Sequence, residues 1–548
     1  MRSIFVIIIV FLISNPISAQ LWLLDPLEAI YPDSNQLTNY SHKWTCDFPQ
    51  GVAANVHILV KLPKGEAFTI RAMNAGADLG YHVWSQLIDV PVEQNTGLDS
   101  RTEQFSGEIN PYVIRRAPFR IFEVIKPMKT QECQNITEYS GFRLSIPPSI
   151  INEPGIHKVK ILLKSDSFEK EGTFTIIVHP ILQPELIESQ FFYTNWFNLA
   201  KMEEYHHLER WTNPWFSMLD KYAKMMAYGH QNSITIPREL FQFENNEIIL
   251  NDTLMLRFID VFRKYDFKYF EAPHLMNRGE SDDWGDPELK VALTKKRYYT
   301  EGGKKDVEIL MKLIRDFAVK NNLTESWLQH VHDEPTAVSA QCYKDVAGQV
   351  KEIFPGVKIM EATNDRDGLV GAIDIWCPLI NDFQENESFF RKRERKGEKV
   401  LVYSCLIPGG KWLNRTLDME RLRQVYFGWG AAFYDTAGYL HWGLNQYHAD
   451  PFEQSVIKHT SPLAGSNNFL PAGDTHVIYP GEDGPLSSIR FESHRIGAED
   501  YDLLQLLKKQ DRRLYKKLIN KLFWSYTDYN LSIKDYRNVK KKLLKYLE

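Results

Sequence analysis

Between residues 21 and 184 apolar and polar positions alternate in short runs, at 56–60, 68–71, 119–125, 142–146, 159–163 and 173–178, separated by Gly, Pro and Asn. A period of two with β-branched residues places one face of each run in a core, and together the runs predict an antiparallel β-sandwich. The stretch His179-Pro-Ile-Leu-Gln-Pro184 makes a stiff exit, and beyond it the pattern changes. Apolar runs at 191–195, 233–236, 268–272, 327–332, 357–362, 372–376, 400–404 and 439–442 now alternate with segments of helical period. In 306–321, Leu310, Leu313, Ile314, Phe317 and Ala318 share one face behind Asp306 as the expected N-cap, and 336–354 repeats the device before Pro355-Gly356. Such a repeat predicts a (β/α)8 barrel. An open doubly wound sheet is the alternative, but no glycine fingerprint follows a strand. The expected fold class is therefore α/β, a TIM-like barrel preceded by an all-β sandwich. The sandwich takes 20–184 and the catalytic barrel 185–548, with the basic, Leu-rich segment 498–548 read as a solvated helical close.

Met1-Arg2, the apolar run 4–13 and the small residue Ala19 have the form of a cleaved signal peptide over 1–19. The run is too short to cross a bilayer, and no later segment has the length, so the mature chain is expected to be exported without an integral membrane span: periplasmic, at the cell surface or secreted. Cys46, Cys133, Cys342, Cys377 and Cys405 show no disulfide framework and read mostly as buried thiols. Sequons at Asn135, Asn251 and Asn414 permit glycosylation in a eukaryotic source. With 65 Lys plus Arg against 70 Asp plus Glu, the chain has no basic excess for a nucleic-acid partner. Its surplus is aromatic, at 13%, and flat rings with polar tips suit a pocket that stacks on a sugar.

In a barrel, chemistry sits at the carboxyl ends of the strands. The fourth run ends Gln329-His-Val-His332 and passes directly into Asp333-Glu334-Pro335. Other acidic doublets stand on polar stretches, whereas this one follows a hydrophobic strand and is pinned by proline. Paired carboxylates suggest glycoside hydrolysis, but the seventh and eighth runs end in Val402-Tyr-Ser-Cys405 and His441-Trp-Gly-Leu-Asn445 with no carboxylate to act as nucleophile. Adjacent acids fit a substrate-assisted scheme, in which the 2-acetamido group of the sugar attacks its own anomeric carbon. Asp333 would orient the acetamide N–H, Glu334 would be the general acid and base, and Tyr403 or Tyr434 would donate to the acetamide carbonyl. Asn232, His274, His332, Trp376, Trp442 and Asn445 are candidates for sugar contacts at other strand ends, with Asn195-Trp196 a weaker one. Arg490 and Asp500 read equally well as a buried ion pair.

The run Gly438-Tyr-Leu-His-Trp442-Gly-Leu-Asn445, the segment from Pro471-Ala-Gly-Asp474 through Arg490-Phe-Glu492-Ser-His-Arg495 to Glu499-Asp500-Tyr501, and His332-Asp333-Glu334-Pro335 resemble the catalytic domain of glycoside hydrolase family 123. The resemblance spans about 190–510. It implies a sandwich before a barrel and release of terminal β-linked N-acetylgalactosamine by neighbouring-group participation, with the catalytic pair on Asp333 and Glu334; no cofactor or metal is expected. At the eighth strand, Trp442-Gly-Leu-Asn445-Gln-Tyr447 departs from the family's Trp-Ala-Tyr-Asn followed by Ser-Trp. The partner expected is a glycan or glycoconjugate with a terminal N-acetylhexosamine. Two alternatives stand beside this: a metal-dependent amidohydrolase-type barrel using His330 and His332, and a carbohydrate-binding protein without catalysis.

Overall fold

The computed structural model describes residues 19–33, 41–135, 137–279, 284–363, 365–459 and 465–548; the signal peptide expected over 1–19 lies outside them but for Ala19. Two sheets form the N-terminal part. The first runs Gln20–Leu24, Ala54–Lys61, Tyr139–Ile146, Trp84–Val92 and Phe119–Pro127, and is extended by two strands from the far end of the chain, Gly484–Ser488 and Tyr479–Gly481. The second runs Lys43–Gln50, Glu169–Leu182, Gly155–Lys164, Ala67–Asn74 and Ala77–Asp78. Alternation puts Val56, Ile58 and Val60 of the first sheet against Ile70, Ile161, Phe174 and Ile176 of the second in one dry cluster. Pairing is antiparallel as expected, except that Lys43–Gln50 runs parallel to Glu169–Leu182. Strands this distant in sequence are free of the hairpin constraint that makes neighbours antiparallel.

Eight parallel strands follow in barrel order: β1 (Phe192–Asn195), β2 (Ser233–Thr235), β3 (Tyr269–Glu271), β4 (Trp327–Gln329), β5 (Lys358–Thr363), β6 (Ile375–Pro378), β7 (Lys399–Tyr403) and β8 (Gly438–His441). They coincide with the eight apolar runs of the sequence to within a few residues. One set of alternate residues, Phe192, Leu328, Met360, Ile375, Leu401 and Leu440, fills the barrel. The other set, including Tyr193, Trp327, Ile359, Trp376, Val400 and Tyr439, packs outward against the helices. Helices Asn213–Tyr228, Asp252–Arg263, Glu301–Lys320, Ala340–Ile353 and Arg421–Tyr434 form much of that outer layer. Thr300, rather than Asp306, caps the third of these through Gly303 N at 3.0 Å, while Asp306 pairs with Lys296.

The ladder continues from β2 through β3 to β8 and on to β1, and Asn232 closes the seam between β1 and β2. Its Oδ1 accepts Tyr193 N at 3.1 Å, its Nδ2 donates to Phe191 O at 2.9 Å and its own N donates to Tyr193 O at 3.1 Å. A side-chain amide here takes the place of strand pairing. The closing segment is packed rather than solvated. Helix Ile489–Gln510 lies so close to Arg421–Tyr434 that a Cβ on Gly428 would stand 1.9 Å from Gly497 O, and helix Ile533–Leu547 buries Tyr536, Leu543 and Leu544. Lys540 is buried with them on Asp500 at 2.7 Å, and Arg537 reaches Asp25, just past the strand Gln20–Leu24, at 2.6 Å.

All five cysteines are free. Two of the sequons named above are also sealed. Asn135 is buried and donates to Leu62 O, and buried Asn414 donates to Cys405 O, so neither amide is open to a glycan in the folded chain, whereas Asn251 caps helix Asp252–Arg263. Among the described residues no helix is long and apolar enough to cross a membrane.

Candidate active site

Asp333 and Glu334 stand half-buried just past β4, and Glu334 takes a left-handed backbone with φ 46°. That conformation is costly for a residue with a Cβ and is held in place by neighbours. Arg278, from the loop after β3, donates through Nη2 to Asp333 O at 2.9 Å and Glu334 O at 3.2 Å. Tyr403, at the end of β7, donates its hydroxyl to Glu334 Oε1 at 2.6 Å. The phenol therefore sits on the acid itself in this state, not on an open position for a substrate carbonyl. A cleft of about 690 Å³ opens over this point, lined by Arg238, His274, Arg278, Lys290, His332 and Asp333. Burial holds the Asp333 carboxyl above its ordinary range; His274 opposes this, Glu361 adds to it, and Arg278 and His330 also oppose it.

Behind the pair lies a buried polar cluster. His330 Nδ1 is 2.9 Å from Glu361 Oε1, and His330 Nε2 is 3.2 Å from Glu271 Oε2. Glu361 also takes His274 Nε2 at 3.1 Å, the backbone N–H of Val331 at 2.9 Å and of His332 at 3.0 Å, and the Tyr343 hydroxyl at 3.1 Å. Glu271 takes the Trp196 indole N–H at 3.2 Å and the Ser233 hydroxyl. Burial alone would neutralise these groups, but the pairing wins. Against burial, His330 is raised to about 10, chiefly by Glu361 and then Glu271, while Glu361 is lowered to about 2, chiefly by His330.

Ligand atoms of His274, His330 and Glu361 converge within 4.8 Å, the spacing of a metal site. The donor chemistry does not fit one. A metal needs a lone pair on an imidazole nitrogen, and both nitrogens of His330 face carboxylates, an arrangement that favours a proton on each. The pairing of His330 with His332 as ligands also fails, because His332 is not in the converging group.

The structure brings together Asp333, Glu334, His274, His332 and Tyr403. Trp442 stands half-buried beyond β8, its ring parallel to that of His441 at 6.3 Å between centroids. Beside them is the buried carboxyl of Asp474, 3.3 Å from His441 Nε2 and pushed up to about 7 by burial. Four candidates lie elsewhere. Trp376 has the outward parity of β6, is fully buried, and donates its indole N–H to Glu398 at 2.6 Å. Tyr434 ends helix Arg421–Tyr434 and stacks on Tyr526 in the outer layer, where its hydroxyl meets Gln384 at 3.4 Å. Asn232 closes the barrel. Asn445 is spent on Asn198, accepting its N at 2.8 Å and donating to its O at 3.0 Å, which ties the loops after β1 and β8. Arg490 and Asp500 are both buried but do not pair: Arg490 holds Glu123, and Asp500 holds Lys540, Trp429 and Tyr536.

Glu271 and Glu361 were not among the residues singled out. Their signal was present, since each is a lone carboxylate in an otherwise apolar strand run, Tyr269-Phe-Glu271-Ala and Met360-Glu361-Ala, where an unpaired charge would be prohibitive.

Residues 255–507 match the family model described as glycoside hydrolase 123, catalytic domain. Among solved structures, the chain is similar to a family 123 glycoside hydrolase from Clostridium perfringens, at 13% identity over 97% of each chain with a TM-score of 0.70. A Parabacteroides merdae β-glucuronidase aligns at 8% identity over 82% of this chain and 50% of its own, and a Thermobacillus composti GH10 xylanase at 13% over 57% and 98%, with TM-scores of 0.32 and 0.33 that bear on nothing further. No curated protein matches. Strands β3 to β8 and the acid pair all fall inside the matched segment, and residues 255–507 are identified by that match as a glycoside hydrolase family 123 catalytic domain.

Proposed function

We propose that this glycoside hydrolase is exported and exo-acting, and that it releases terminal β-linked N-acetylgalactosamine with retention, through an oxazolinium intermediate formed by the substrate's own acetamide. The observation that carries the reading is the consecutive pair Asp333-Glu334 at the end of β4 in a site whose neighbouring carboxylates Glu271, Glu361 and Asp474 are fully buried. Glu271 and Glu361 are fully buried on His330, and Asp474 is buried behind Trp442. Two adjacent residues of one strand end do not grip a sugar from opposite faces, as a nucleophile and an acid must. They do serve one face together.

In this reading Asp333, as an anion, accepts the acetamide N–H and stabilises the positive charge that grows on the ring. Glu334 protonates the leaving oxygen and then takes a proton from water. Once Glu334 is protonated it no longer needs a donor, and the Tyr403 hydroxyl, 2.6 Å away in this state, turns to the acetamide carbonyl. Trp442 offers its face to the sugar. The Clostridium perfringens relative's structure concerns glycolipid glycan hydrolysis, and a glycolipid-borne glycan is the natural substrate class that we assign by similarity. Export rests on the leader pattern of residues 1–19.

The test uses chromogenic β-linked N-acetylgalactosamine, N-acetylglucosamine and galactose substrates with the wild type and Glu334→Gln. The expected result is rapid cleavage of the first, little of the galactoside, and a loss of about 10²–10⁴-fold in the variant. Cleavage of the galactoside at the same rate would overturn the acetamide mechanism, and preference for the glucosamine substrate would overturn the sugar alone.

A further inference from the structure

His330 is 1% exposed and carries a carboxylate at each ring nitrogen, 2.9 Å from Nδ1 and 3.2 Å from Nε2. A neutral imidazole has a single N–H, so two ionised carboxylates at its two nitrogens call for the doubly protonated ring. Each carboxylate is in turn fixed. Glu271 holds Ser233 and the Trp196 indole, from the ends of β2 and β1, and Glu361 holds the backbone amides of Val331 and His332 and the Tyr343 hydroxyl of helix Ala340–Ile353. In a longer β4 those two amides would pair with backbone of β5. A side chain of β5 takes them instead, so the ladder ends at Gln329 and the chain turns to present Asp333 and Glu334 at the cleft.

We infer that Glu271, His330 and Glu361 are positioning residues for the acid pair: Glu361 fixes the backbone that carries Asp333 and Glu334, and His330, held as an imidazolium between two carboxylates, supplies positive charge that keeps Asp333 ionised. This rests on the reading above in which Asp333 works as an anion. The groups that face Asp333 are His274 and Arg278 from the loop after β3, His330 after β4, Glu361 from β5, Cys377 from β6, Tyr403 from β7 and Glu334 beside it. His274 and Arg278 also favour the anion, but they line the open cleft, whereas the charge on His330 is sealed from solvent and unscreened by salt.

The experiment pairs NMR of wild-type protein labelled with ¹⁵N-histidine with the pH dependence of kcat/KM in the wild type and His330→Gln. A glutamine keeps a donor for one carboxylate and removes the charge. We expect both ring nitrogens of His330 to be protonated at pH 8. In the variant the acid limb should move up by about one pH unit, since loss of a nearby positive charge raises a carboxyl pKa, with KM little changed. A singly protonated His330 in the wild type, or an unmoved acid limb in a folded and active variant, would overturn the inference. Should His330→Gln fail to fold, Glu271→Gln replaces it. With one carboxylate fewer, His330 should then lose its second proton at a lower pH than in the wild type, and an unchanged titration would refute the pairing. If the wild type cleaves a galactoside as readily as the acetamido sugar, the acetamide mechanism falls, yet the NMR titration and the limb measured on that galactoside still report on His330.

Discussion

Asp333 is the residue at which function and stability part company. Burial raises its carboxyl above the ordinary 3.8, so folding favours the neutral acid. The stability this contributes is complete below the unfolded value and is lost as pH rises through the folded one. An anionic Asp333, as the reaction requires, is therefore held at a cost that the charges of His274, Arg278 and His330 offset only in part. Asp333→Asn should therefore lower kcat by about 10²–10³-fold while leaving Tm at pH 7 equal to that of the wild type or higher. A kcat close to wild type would show that the carboxylate has no part in the reaction, and a lower Tm would show that the buried charge is well compensated. The cluster behind it has the opposite sense. Glu361, lowered to about 2 from 4.5, stabilises the fold above pH 4.5 and loses that contribution as pH falls towards 2. His330, raised to about 10 from 6.5, stabilises the fold below pH 6.5 and loses that contribution as pH rises towards 10.

At the scale of the element, each barrel strand has only a few residues, and side chains complete what short ladders leave undone. Glu361 does so for the end of β4, and Asn232 for the seam between β1 and β2. Replacing Asn232 with alanine leaves Tyr193 N and Phe191 O without their buried partners. Each such orphan costs about 1–3 kcal/mol, so Asn232→Ala should lower the unfolding free energy by about 2–6 kcal/mol in urea titration. A loss below 1 kcal/mol would mean that water or a shifted backbone closes the seam. Strand parity explains the misplaced Trp376 at this same scale. Trp376 and Cys377 are neighbours, but Cys377 faces the barrel interior and Trp376 the helices. A position at a strand end does not by itself aim a side chain at the cleft.

The whole molecule is tied across its two parts by buried charge. Glu123, on strand Phe119–Pro127, accepts Arg490 Nε at 2.6 Å and lies 3.4 Å from Arg421 Nη2, with all three residues at most 1% exposed. Arg143 and Glu492 make a second such link at 2.9 Å. Removing one partner of a buried ion pair leaves an uncompensated charge, so Glu123→Ala should cost about 3–5 kcal/mol and lower the unfolding of sandwich and barrel together, seen by calorimetry as one transition. Two separated transitions would show that the parts fold independently. Much of this architecture was legible in the chain, because period-two and helical apolar patterns are local and the energy of burial enforces them. All eight barrel strands, the sandwich and the turn into Asp333-Glu334 could be read from residues near one another in sequence. What could not be read depends on partners far away. Arg490 belongs with Glu123 rather than Asp500, Asn232 and Asn445 are spent on backbone, Tyr403 rests on Glu334, and Glu271 and Glu361 converge on His330 from strands on either side. The sequence by itself determined the strand order and the acid pair, since both follow from local periodicity and turn chemistry. Only the tertiary structure decided which polar groups are consumed in holding the barrel and which are left to face a sugar, because a hydrogen bond needs a partner within about 3 Å and the sequence does not measure that distance.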